Sequence, residues 1–159
     1  MTATTARTAE RLISADDHVN LSHDRVKEHL ASRFHEGYDA GVAKFRATMT
    51  STASIVANQR WREQEGLEPD PTVSMAANRT HGAAGRPGHT DPYARLRDMD
   101  ADGVEASSSY CEVSAFRYLY LVEDGWKEAT RAFNCALGAF AAADPKRLVV
   151  SYQIPIHDV

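Results

Sequence analysis

Apolar residues along this chain fall into short runs edged by charge and longer stretches that repeat every three to four positions. Leu12-Ile13-Ser14-Ala15 leads into Asp16-Asp17-His18-Val19 and predicts a strand over 11–19. Ser22 is placed to cap a helix whose apolar positions Val26, Leu30 and Phe34 recur at i, i+4 and i+8. A second helical stretch is predicted over 39–65 from Val42, Phe45, Met49, Ala53 and Val56, weakened by the threonines and serines of 48–54. Gly66 to Pro92 is rich in glycine and proline and predicts a long loop, of the kind that covers a site or stays unstructured.

Asp91-Pro92 then offers an N-cap followed by proline at the first helical position. Leu96 and Met99 face inward from this helix, and Gly103 stands where a C-terminal cap glycine belongs. A small-residued second strand is predicted over 104–111. The clearest helix spans 124–143, with Trp126, Ala129, Phe133, Ala136, Leu137 and Phe140 on one face and Asp144-Pro145 as its stop. Leu148 to Ile154 is the third strand. The order strand, helices, strand, helix, strand predicts an α/β fold with a parallel sheet and crossover helices. Three parallel strands leave two edges open, so the sheet is expected to be incomplete and to self-associate through an exposed edge.

The 159 residues, 43% of them hydrophobic, suit one domain over 11–159 behind a loose tail at 1–10. A net charge of −4 with no dense lysine and arginine stretch excludes a nucleic-acid footprint, and no apolar window approaches the roughly 18 residues of a membrane span. Cys111 and Cys135 form no Cys-x-x-Cys pair, and the first residues lack the apolar core of a signal peptide, so a cytoplasmic, reduced protein is expected.

Chemistry concentrates at Asp16-Asp17-His18. Side chains alternate along a strand, so Asp16 and His18 are predicted to share a face, their Cα atoms roughly 6.5–7 Å apart, while Asp17 faces away. A carboxylate oxygen and an imidazole nitrogen together suit Zn²⁺, with Mn²⁺ or Fe²⁺ as alternatives. The same residues also serve as turn formers, and Asp17 or Asn20 as a cap for the next helix. His23, His29 and His35 sit six residues apart, about 240° on a helical wheel, and do not form a metal face.

Several segments taken together resemble one family. They are Ile13-Ser14-Ala15-Asp16-Asp17-His18, Gly85-Arg86-Pro87-Gly88 with Asp91-Pro92, and Arg95 to Val104. Arg131-Ala132-Phe133-Asn134, Ala142 to Leu148 and Ile154-Pro155-Ile156 continue the likeness. In this order they resemble the amidohydrolase-related family that includes aminocarboxymuconate-semialdehyde decarboxylase. The resemblance implies the first three strand units of a (β/α)8 TIM barrel, with a divalent metal, commonly zinc, at the C-terminal mouth. It places Asp16 and His18 at the first-strand metal pair, Asp-x-His being a variant of the more frequent His-x-His. The family's other ligands come from later strands and have no counterpart here, so the site is expected to be incomplete and the chain inactive alone.

The resemblance implies a metal-dependent hydrolase, or a nonoxidative carbon–carbon lyase such as a decarboxylase, acting on a small carboxylate-bearing substrate. Arg86, Glu112 and His157 are candidates for the substrate pocket: Arg86 for its carboxylate-matching fork, the other two for their places just past the second and third strands. A salt bridge from Arg86 to Asp91 or Asp98 accounts for that residue equally well, and His81 and His89 in the loop are expected to be solvated. The alternative reading is a noncatalytic fragment of such an enzyme, an oligomerising remnant.

Overall fold

Each strand of this chain is returned to the same end of the sheet by a helical connection, and the strands therefore pair in parallel. The computed structural model describes residues 11–50, 60–68, 86–111 and 116–155. Among them β1 (Leu12–His18), β2 (Val104–Tyr110) and β3 (Leu148–Val150) form a three-stranded parallel sheet in the order β1-β2-β3. Helices α1 (His23–Lys27), α2 (His35–Thr50), α3 (Pro92–Asp102) and α4 (Trp126–Ala141) make the connections, and residues 60–64 are also helical. The expected α/β class and parallel sheet are present.

The helix expected after Ser22 is broken in two. The Ser22 hydroxyl accepts from the Arg25 N–H at 3.2 Å and starts α1, but extended Ala31 and a 3-10 turn at Ser32–Phe34 separate it from α2. His35 caps the break, its Nε2 within 2.9 Å of the Leu30 carbonyl. The stripe Val26, Leu30 and Phe34 still meets the core, by a bent path. A 3-10 segment at Phe116–Leu121, unmarked in the pattern, packs on α2. The tail at 1–10, residues 51–59 and most of the long loop, 69–85, lie outside the described residues.

α3 follows its signals closely. Asp91 Oδ1 accepts from the N–H groups of Tyr93 at 2.8 Å and Ala94 at 3.3 Å, Pro92 opens the helix, and Gly103 closes it at φ 70°. That left-handed conformation is open to glycine at little cost. α4 buries Ala129, Ala132, Phe133, Ala136, Leu137 and Phe140 against the sheet, joined by Leu148 from β3 and by Val19 and Val26.

Pairing sorts the sheet residues by face. Ser14, Ser107 and Leu148 align, as do Asp17, Ser109 and Val150, and these point toward the helices. Ile13 opposite Ala106, Ser108 opposite Val149, and His18 opposite Tyr110 occupy the other face. There Ile13, Tyr110 and Val149 are exposed. One face is covered and the other is open.

Candidate metal clip at the end of the first strand

The register of β1 against β2 slips between Ser14 and Asp17, where three steps on β1 match two on β2. This bulge lets both Ser14 and Asp17 face the helices, and it leaves Asp16 and His18 to project on either side of an inward-turned Asp17. Asp16 Oδ1 lies 4.0 Å from His18 Nδ1. The Asp16 side chain is 86% exposed, whereas that of His18 is partly sheltered.

The chemistry of this pair fits a divalent cation. An oxygen and a nitrogen bound to one tetrahedral ion with bonds near 2.1 Å sit about 3.4 Å apart. The exposed Asp16 carboxylate closes that gap by a small rotation. Among the described residues no group of three or more histidine, cysteine or carboxylate side chains converges on a point, so the clip offers two donors.

Behind the clip stands a second set of polar groups, on the helix side. Arg95 of α3 is only 9% exposed, and each of its guanidinium nitrogens has an acceptor. Nε donates to the Gly88 carbonyl at 2.9 Å, Nη1 meets Asp17 Oδ1 at 3.3 Å, and Nη2 donates to the His18 carbonyl. His89 Nδ1 bonds the same His18 carbonyl at 3.1 Å, and the His89 carbonyl accepts from the Asn20 N–H at 2.8 Å. A carbonyl only accepts, so His89 carries its proton on Nδ1 here. Burial, together with the nearby Arg95 charge, holds the His89 imidazole below its ordinary pKa and favours this neutral form.

The turn that carries His89 is seated on α3 by Gly88. A Cβ at that position would stand 2.6 Å from Asp98 Oδ2 and 3.1 Å from the Arg95 Cα, so only glycine permits the approach. His89, expected to be solvated, is thus partly buried and bonded to β1.

The other candidates are placed differently. Arg86 is exposed and lines a cavity of about 190 Å³ between β1 and α3, together with Ser14, Asp17 and Asp98. This cavity is on the helix side of the strand, opposite the clip. Glu112 and His157 lie outside the described residues. Cys111 is a buried thiol between the strand ends, with Gln153 Nε2 at 2.8 Å from its sulfur, and burial raises its pKa.

Arg95 and His89 were not singled out by the pattern. The signal was present for Arg95, which lies four residues before Met99 and therefore on its inward stripe. An arginine on a buried stripe requires an anion, and it is the bulge in β1 that brings Asp17 to that side.

On the opposite flank, Tyr38 and Tyr118 are both buried, their hydroxyls 2.7 Å apart, and His23 Nδ1 lies 2.9 Å from the Tyr38 hydroxyl. Burial raises the pKa of both phenols. The rings of the three residues meet edge to face, and the group closes the core between α1, α2 and the 3-10 segment. No helix among the described residues is long and apolar enough to cross a membrane. No protein-family model matches the sequence, and no curated protein or solved structure matches it.

Proposed function

We propose that this chain carries the first-strand metal clip of an amidohydrolase-type enzyme, a metal-dependent hydrolase or nonoxidative carbon–carbon lyase for a small carboxylate-bearing substrate. Its three strands and the helices between them are read as the opening part of a (β/α)8 barrel, with the open sheet face turned toward the barrel interior. The observation that carries the reading is the 4.0 Å approach of Asp16 Oδ1 to His18 Nδ1 at the C-terminal end of a parallel strand. Barrel enzymes build their sites at that end.

Asp16 and His18 would hold a divalent cation, zinc by preference, which when bound would acidify a water and polarise a substrate carbonyl or carboxylate. Asp16 contributes charge and an oxygen donor, and His18 a nitrogen donor held partly out of solvent. Arg86, whose planar fork suits a substrate carboxylate, borders the cavity on the helix side of β1 and does not share the face of the clip. Catalytic sites of this kind use three protein ligands, so the clip alone gives weak binding and no turnover.

Calorimetric titration of the purified chain with Zn²⁺ tests the reading. One weak site, lost in both Asp16→Ala and His18→Ala, supports it. Equal binding by wild type and both variants overturns it.

A noncatalytic, self-associating module is the second reading, favoured by the exposure of Ile13, Tyr110 and Val149 on one sheet face. Sedimentation distinguishes the two. A dimer that Val149→Asp dissociates, in a chain that takes no zinc, favours the interaction module.

A further inference from the structure

The bulge in β1 raises a question of orientation. In a regular ladder, pairing with the neighbouring strand determines where each side chain points; between Ser14 and Asp17 the register is lost, and Asp16 lies inside that interval. The ladder resumes at Asp17 and His18, with the Val19 N–H donating to the Tyr110 carbonyl at 2.8 Å, and the unpaired interval before them needs a further hold.

The structure provides it from the helix side. Arg95 spends its donors on Asp17, on the His18 carbonyl and on the Gly88 carbonyl, all outside its own helix. His89 adds a second bond to the His18 carbonyl and, through its own carbonyl, receives the Asn20 N–H. A nearly buried guanidinium is costly unless its donors are engaged, and these acceptors engage Nε, Nη1 and Nη2. The planar fork meets three acceptors in different directions, which a lysine ammonium on its flexible stem does not reproduce.

We propose that Arg95, with His89 as its partner, positions the Asp16–His18 pair by anchoring Asp17 and the His18 carbonyl from behind. Both are positioning residues: neither reaches the open face, and they act by setting the backbone from which the two donors project. With Asp17 pinned inward, its neighbours on either side are turned outward together. That Arg95 serves a metal clip rests on the reading given under Proposed function; that it orients the two side chains does not.

The test therefore has a metal-free arm. In the apo chain, nuclear Overhauser cross-peaks between the His18 ring and the Asp16 methylene report the pair directly, and thermal unfolding reports the fold. Arg95→Lys is expected to abolish these cross-peaks while still unfolding cooperatively. His89→Leu is expected to weaken them, and His89→Asn, whose amide N–H replaces Nδ1–H, to restore them. Zn²⁺ affinity is expected to fall roughly 10–100-fold in Arg95→Lys, as when an outer-shell partner is removed.

Should Arg95→Lys fail to fold, the His89→Leu and His89→Asn pair decides. Cross-peaks that persist unchanged in every folded variant overturn the inference, whether or not zinc binds. Their disappearance in Arg95→Lys or His89→Leu, in a chain whose wild type takes no zinc, supports the positioning role and overturns the metal reading alone.

Discussion

The two faces of the sheet differ in what their residues do. The helix-facing side buries Phe133, Leu137 and Leu148 and sends the Asp17 carboxylate to a buried arginine. The open side exposes Ile13, Tyr110 and Val149 and bears the donors of Asp16 and His18. Stability is concentrated on the first face and the candidate chemistry on the second. The bulge in β1 is the joint between them, since it turns consecutive residues to opposite tasks.

Substitutions sharpen this division. The largest effect is expected for Phe133→Ala, whose ring is wholly buried on the covered side, at about 3–5 kcal/mol in urea unfolding. A loss equal to that of a surface residue would show that the covered face is not the core. Gly88→Ala comes next, at about 1–3 kcal/mol, because the new methyl meets the Arg95 backbone, which cannot give way. Asp91→Ala removes the cap of α3 and should cost about 1 kcal/mol.

On the open side, Val149→Thr should change stability by less than about 0.5 kcal/mol, since the residue is 52% exposed. Ser109→Ala tests the covered side in the opposite sense. Its hydroxyl is buried without a hydrogen-bond partner among the described residues, so its removal should be neutral or slightly stabilising in the same unfolding assay.

The smallest and most local test concerns the thiols. Exposed Cys135 should react with a disulfide reagent at once, while Cys111 stays silent until the pH rises above the usual thiol range or the chain unfolds. The sign follows from burial, which disfavours the thiolate and so raises the Cys111 pKa. Equal rates at neutral pH would place Cys111 at the surface.

Much of this division was legible in the residues. Phe133, Leu137 and Phe140 announce a covered face through their helical spacing, and Asp91-Pro92 with Gly103 bracket α3 almost to the residue. Local signals suffice there because caps and amphipathic stripes act within one element. The Asp-x-His spacing likewise suggested a shared side for Asp16 and His18. The bulge beneath them was not legible, because register depends on the partner strand nearly a hundred residues away. His89 was missed for the same reason: its acceptor is the backbone of His18, and a backbone acceptor leaves no mark in a sequence. The break after α1 also escaped, since Leu30 and Phe34 continue the stripe across it.

The central claim is that Asp16 and His18 together hold a divalent cation on the open face. Long-range ¹⁵N–¹H spectra of the seven histidine rings during a Zn²⁺ titration address it directly. The account predicts that the His18 ring nitrogens shift first and saturate at one equivalent, and that Asp16→Asn abolishes the response. A titration in which another histidine responds first, or in which His18 responds equally without the Asp16 carboxylate, would contradict it.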